Sequence, residues 1–451
     1  MKTYNVLDAY LGGQLVGQFR RAGSKIRFVY DSGWLGQPIS LGLPPENPNR
    51  NALPFLKGLL PDNEAVKTAW GRDYNVNPRD ELSLLAAVGQ DLPGAIQLTP
   101  ERVAPNTQGH TQPLSEGSLE ALMRALVSRD GAWTALSGER LDVPGKFSLA
   151  GGQAKTALYR SPDGKWWLPF GRFPSTHILK PEIRGRFPGS DINEAVCLAA
   201  LRKLHIPASR ESIESIGNVR VSVIERYDRV RSNGQVTRLH QEDICQILRI
   251  VPEKKYAYQG GPSTSQTARV IREYAGTGAA LNFIRQLAFN HVILGTDAHG
   301  KNFSLIEHAD GLVELAPAYD VASYIPYMNV SGFRPLDNVF PAMPIGGASK
   351  YEQISPYRWE KLGFSAGLDP EQVVTVVREI IENTPDAMAD TLREMREDVQ
   401  GSPVAHLADG IRVLAREGWT SGKRSFTLGK SVTAAGQAWS ANIEAAGAAV
   451  R

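Results

Sequence analysis

The stretch Gly295-Thr-Asp-Ala-His-Gly-Lys-Asn302, completed by Pro317-Ala-Tyr-Asp-Val321, decides how this chain is read. An apolar helical run from Leu281 to Leu294 leads into it. Between its two halves, Phe303 to Ile306 and Leu312 to Leu315 flank the turn His308 to Gly311 and predict a hairpin. Asp297 and Asn302 therefore stand five positions apart on a loop, and Asp320 follows eighteen later, just past the second strand.

Phosphoryl transfer needs a carboxylate to orient the attacking hydroxyl and hard oxygen ligands to hold Mg²⁺ against nucleotide phosphates. Asp297, Asn302 and Asp320 are such a set. In protein kinases, too, base and metal-binding Asn lie five apart on a loop, although neither HRD nor DFG occurs here. Taken singly, Asp, Asn and Gly more often close a turn than bind a metal. The three together, with His299 and Lys301 among them, point to chemistry.

Upstream the pattern is β-rich. Lys146 to Ala150, a glycine pair, Thr156 to Arg160, the turn Ser161 to Gly164, Trp166 to Phe170 and Thr176 to Lys180 read as short antiparallel strands. Asp191 is placed to cap a helix running to Leu204, and Val221 to Tyr227 reads as a further strand. The segment Ser148-Leu-Ala-Gly-Gly-Gln-Ala-Lys-Thr156 is able to aim backbone N–H groups at phosphates through Ala150, Gly151, Gly152 and Gln153, with Lys155 nearby. It lacks the Walker spacing, and a plain hairpin turn explains it equally well. Lys180 suits a strand-borne phosphate lysine; the bland reading is a solvated strand end. Glu194 either pairs with Lys180 or simply favours its helix N-terminus. Glu225-Arg-Tyr-Asp-Arg229 stands where a two-lobed kinase has its hinge, and is otherwise a charged exit from a strand.

The N-terminal third is separate in character. Tyr4 to Tyr10, Gly12-Gly13, Gln14 to Arg20 and Lys25 to Tyr30 predict a meander, and Leu53 to Trp70 a helical stretch broken at Pro61-Asp62. A small α+β subdomain over 1–100 is expected. A polar, proline-containing linker follows over 101–117, then a β-rich lobe over 118–230 and a helical lobe over 231–451 that includes the helix opened by Asp369-Pro370 and an Ala/Gly-rich tail. The fold class expected is α+β, two-lobed and protein-kinase-like.

Composition excludes little and suggests less. Fifty Lys and Arg against forty-seven Asp and Glu leave a net charge of +3, too weak to argue for nucleic-acid binding. The two cysteines, Cys197 and Cys245, form no disulfide framework and no metal-ligand spacing. No signal peptide or membrane span is legible, so a reducing cytoplasmic compartment is expected. Neither HExxH nor Gly-x-Ser-x-Gly occurs.

The motifs LAGGQAKTAL after Ser148, HILKP ending at Pro181, INEAVCLA, ERYDR, QEDICQ, TDAHGKNFSL and PAYDVAS, with FLKGLLPDN near the N-terminus, resemble the HipA toxin kinases. The resemblance runs from the first strands to about residue 400. It implies a two-lobed kinase-like fold that binds ATP and Mg²⁺ and phosphorylates serine in a translation component, notably an aminoacyl-tRNA synthetase. It also implies a small helix-turn-helix antitoxin, HipB-like, that brings the pair to operator DNA. By the same resemblance Asp297 is the base, Asn302 and Asp320 the Mg²⁺ ligands and Lys180 the phosphate lysine. His299 and Lys301 then touch nucleotide, Glu225 and Tyr227 bracket the adenine, and Ser148 is autophosphorylated. Gly152 and Ala154 depart from the family, whose members often carry Ala and Glu there. The rival expectations are a kinase-shaped corepressor acting through an antitoxin–DNA complex, and a kinase for lipid or small-molecule hydroxyls.

Overall fold

The computed structural model describes residues 1–105, 109–127, 153–182, 187–328 and 339–412. They group into two compact units assembled from alternating pieces of chain: 1–181, 214–255 and 304–316 in the first, 182–213, 256–303 and 317–451 in the second. The class is α+β, with sheets in the first unit and helices dominating the second.

The first unit opens with β1 (Val6–Leu11), β2 (Gln14–Ala22) and β3 (Lys25–Tyr30), joined by β4 (Ile96–Pro100) in the order β3-β2-β1-β4. Gly12 and Gly13 take φ of 58° and 87°, the pair of positive values that a two-residue hairpin loop requires. The helices Leu53–Gly58 and Glu81–Val88 cover this sheet with Phe55, Leu56, Leu82 and Leu85, all at 0% exposure. Burying each is worth about 1.5–3 kcal/mol. Asn63 caps the helix that resumes after the expected break at Pro61-Asp62.

The second sheet contains β5 (His110–Pro113), β6 (Thr156–Arg160), β7 (Trp166–Phe170), β8 (His177–Pro181), β9 (Glu211–Ile216) and β10 (Val219–Glu225), ordered β5-β7-β6-β8-β10-β9. Its core meets the helix Glu116–Val127 through Leu122, Met123, Leu158, Leu179 and Val221. Both edge strands escape sequence reading: β5 lies in the polar stretch expected to be a linker, and β9 alternates weakly as Glu-Ser-Ile-Glu-Ser-Ile. A partner on one side only leaves such strands exposed, so hydrophobic alternation is not demanded of them. The hairpin β11 (Arg229–Ser232) and β12 (Gln235–Arg238) follows.

What reads as a lone hairpin near 303–315 is two strands of a three-stranded sheet. β13 (His240–Asp243) pairs with β14 (Ser304–Glu307), which pairs with β15 (Val313–Leu315). Buried Glu242 on β13 accepts from Ser40 Oγ at 2.6 Å and Leu41 N at 2.5 Å, tying this sheet to the N-terminal region.

In the second unit the helices Ser190–Lys203, Thr264–Val292, Pro356–Ala366 and Pro370–Glu394 pack together. Asp369 caps the last of these, with Pro370 at its first turn, as expected. The cap at the start of Ser190–Lys203 is not Asp191 but Gly189, at φ 68°. Left-handed backbone is nearly free for glycine, and it swings the chain into the helix two residues earlier. The apolar run that precedes the Asp297 loop is the second of two helical segments, interrupted at Gly276 (φ 85°, ψ 173°). Among the described residues no helix is long and apolar enough to cross a membrane.

Candidate functional site

The loop carrying Asp297 is built from the end of the helix Thr264–Val292. Leu294, fully buried, takes φ 53°, and Gly295 N donates back to Asn290 O at 2.7 Å. A Cβ on Gly295 would lie 2.2 Å from Asn290 Oδ1, so glycine is required by close approach. Tyr351 Oη donates to Gly295 O at 2.9 Å, and the Phe283 ring meets Phe303 edge-on at 4.8 Å, pinning both ends of the loop.

Within the loop Asp297 closes on Asn302. Asn302 Nδ2 donates to Asp297 O at 2.8 Å, His299 N donates to the same oxygen at 2.8 Å, and Asn302 N donates to His299 O at 2.9 Å. These bonds use the main-chain oxygen of Asp297 and the amide nitrogen of Asn302. They leave the Asp297 carboxylate, 58% exposed, outside this closure, and Asn302 Oδ1 bonds no described residue.

Asp320 reaches the same neighbourhood through its neighbour, since Tyr319 Oη donates to Lys301 O at 2.8 Å. Asp320 is half-buried with φ 51°. A left-handed non-glycine residue costs on the order of 1–2 kcal/mol. Leu294 and Asp320, two of seven non-glycine residues with positive φ among those described, place such conformations on both chain segments of one cluster.

The donor set fits a hard cation. Asn302 Oδ1 and an Asp320 carboxylate oxygen are ligands of the kind Mg²⁺ accepts, and it takes few from protein because phosphates and waters fill the rest. Among the described residues no group of three or more His, Cys, Asp or Glu is arranged to cage a metal alone. His299 and Lys301 are buried, at 2% and 7% exposure.

The remaining candidates lie in the first unit. Lys180, on β8 opposite Ser222, is 5% exposed. A buried lysine requires compensation, so the solvated strand-end reading fails. Lys155 and Gln153 are half-buried, and Gln153 Nε2 donates to Pro181 O at 3.3 Å. Glu225 is exposed at the end of β10, while Tyr227 hydrogen-bonds Gln241. Ser148, Ala150, Gly151 and Gly152 lie outside the described residues.

Around Tyr227 the structure reveals what the sequence hides. Arg226, Asp228 and Arg229 are buried and join Asp91, Ser175 and Arg238 in one network. Arg226 Nη2 and Arg229 Nη1 meet Asp228 Oδ2 at 2.8 and 2.9 Å; Arg229 Nη2 and Arg238 Nη2 meet Asp91 Oδ1 at 3.0 and 3.1 Å. Gly94 N donates to Asp228 Oδ2 at 2.7 Å, and Arg226 Nη2 to Leu92 O at 2.9 Å, so the network locks the N-terminal region onto the second sheet. Burial pushes the Asp91 carboxyl up, but Arg229, Arg238 and Arg226 outweigh it and hold it well below the usual carboxylate range. The charged strand exit is therefore a structural clamp.

Comparison with known proteins places the chain among relatives. The HipA N-terminal domain matches residues 7–99, and the HipA-like C-terminal domain matches residues 147–388, which include Lys180 and the whole Asp297–Asp320 cluster. A relative from Sinorhizobium fredii (strain NBRC 101917 / NGR234), named "Putative kinase Y4mE", is 32% identical over 91% of this chain and 97% of its own length. A second from the same organism, "Putative kinase Y4dM", is 26% identical over 73% of this chain and 74% of its own. The structure of HipA from the Shewanella oneidensis MR-1 toxin–antitoxin system, solved with HipB and operator DNA, superposes with a TM-score of 0.75 at 22% identity, covering 91% of this chain and 96% of that one. Both domain matches, the length of the first relative covered and the shared α+β fold lead to one conclusion: this chain belongs to the HipA family.

Proposed function

We propose that the chain is an ATP-dependent serine/threonine protein kinase acting as the toxin of a toxin–antitoxin pair. The observation that carries this is the closed Asp297–Asn302 loop with an exposed carboxylate, beside the left-handed Asp320. Asp297 orients the acceptor hydroxyl and accepts its proton. Asn302 and Asp320 would hold Mg²⁺, which when bound would supply charge neutralisation for the phosphates of ATP. Lys180, Lys155 and the residues Ala150, Gly151, Gly152 and Gln153 bind those phosphates, His299 and Lys301 touch the nucleotide, and Glu225 and Tyr227 border the adenine. The names of the relatives support the kinase reading. The Shewanella HipA, solved together with HipB and operator DNA, supports a HipB-like antitoxin and operator DNA as partners. The acceptor is a translation component such as an aminoacyl-tRNA synthetase, and slow self-modification falls on Ser148.

The test is transfer from labelled ATP in a bacterial lysate, with the labelled species identified by mass spectrometry. A labelled translation protein, absent with Asp297→Asn, is the expected outcome. Label found only in lipid or small molecules would assign the same site to another substrate class. Incubation of the purified chain with Mg-ATP should place phosphate on Ser148 and abolish ATP binding; an unmodified Ser148 in an active enzyme removes that step.

A further inference from the structure

We infer that Tyr256 is a positioning residue for Asp297, holding one carboxylate oxygen so that the other is presented to the acceptor hydroxyl. The inference rests on Asp297 being the catalytic carboxylate. The Tyr256 phenol donates to Asp297 Oδ1, and His299 Nε2 lies 3.5 Å from that same oxygen. Oδ2 bonds no described residue. An aspartate 58% exposed would otherwise sample several rotamers, whereas two groups converging on Oδ1 select one and leave Oδ2 open.

The phenol is itself held in place. Its ring stacks on Tyr258 with centroids 5.3 Å apart and planes 26° from parallel, and meets His299 edge-on at 4.9 Å and 86°. Tyr256 also heads the tight turn Ala257–Gln259, where Gly261 N returns to Tyr256 O at 3.0 Å and Gly260 takes φ 88°. Ala257 N anchors the turn to Ala342 O at 3.3 Å. A hydroxyl supported in this way sets an angle rather than swinging on the surface, and angular error at a reacting group is costly to rate.

In the reaction, the acceptor oxygen bonds to the γ-phosphorus and its proton passes to Asp297 Oδ2. The bond from that phosphorus to the β,γ-bridging oxygen breaks, and its electron pair leaves with ADP. Tyr256 keeps its proton throughout.

The experiment uses the full chain, Mg-ATP and dephosphorylated casein as a generic acceptor, with ATP hydrolysis as a second readout in which water is the acceptor. Tyr256→Phe keeps both ring contacts and removes only the hydroxyl. We expect kcat to fall about tenfold, the effect of losing one hydrogen bond to a charged group, with KM for ATP and the thermal midpoint unchanged. In the Asp297→Asn background the same change should cost nothing further, because both act through one group. Wild-type kcat in Tyr256→Phe, or losses that add in the double variant, would overturn the positioning role while leaving a dead Asp297→Asn to uphold the catalytic assignment. An active Asp297→Asn would bring down both.

Discussion

At Asp91 three arginines converge on a carboxylate that is 7% exposed; at Asp297 one phenol and one imidazole share a single oxygen of a carboxylate that is 58% exposed. The first anion is saturated, with Ser175 Oγ completing its partners at 2.5 Å. The second keeps an oxygen in reserve. Arg226 and Arg229, which hold the first, and Asp297 itself come from motifs that look equally functional as letters. The difference teaches that burial with every valence filled makes a clamp, whereas exposure with a spare valence leaves a carboxylate able to meet a ligand.

The largest effect expected from breaking this contrast is at the open carboxylate. Asp297→Asn should lower phosphoryl transfer by about 10² to 10⁴-fold, the usual range for losing a positioned proton acceptor, with stability unchanged. Calorimetry should find ATP still bound. Near-normal turnover in this variant would make the exposed carboxylate a bystander.

The saturated carboxylate should answer in stability instead. Asp91→Asn leaves Arg226, Arg229 and Arg238 short of a buried counter-charge, which is expected to cost about 3–5 kcal/mol. Urea unfolding would register it, and a loss under about 1 kcal/mol would mean that the network relaxes onto other partners. Because the Asp91 carboxyl is held low in the folded chain, its contribution is full at neutral pH and declines as pH falls below about 4, where the unfolded carboxyl takes up protons first. Wild type should lose more stability between pH 7 and pH 3 than Asp91→Asn does; parallel curves would remove Asp91 as the source.

Two smaller changes sharpen the comparison at Asp320. Asp320→Ala should weaken Mg-ATP binding by about tenfold or more through loss of a hard oxygen ligand, measured by titration calorimetry. Asp320→Gly should weaken binding in the same way while relieving about 1–2 kcal/mol of left-handed strain. A variant that binds less tightly yet melts no lower is the signature of strain kept for function. Destabilisation by Asp320→Gly would show that the aspartate serves the fold.

Much of this was local and therefore legible. The bounds of β3, β6 and β7 follow from alternation closed by glycine or turn residues, and Asp369-Pro370 opens its helix by capping chemistry alone. Asp297, Asn302 and Asp320 emerged from spacing because loop, hairpin and return all lie within one short stretch. Edge strands β5 and β9 did not, since an exposed strand has no reason to alternate. Tyr256 left only a Tyr-Ala-Tyr-Gln-Gly-Gly turn signal, and its partner Asp297 stands 41 residues away.

By itself, then, the sequence determined the family and the α+β class and named the candidate side chains, because each is written in neighbouring residues or in motifs long enough to defeat chance. Only the tertiary structure decided which charges are buried and saturated and which stay exposed. Arg229 meets Asp91 across 138 positions, and Lys180 is buried by strands paired from distant parts of the chain. Solvent exposure and saturation of hydrogen-bonding capacity arise when remote segments return to one place, and no local periodicity encodes where they will meet.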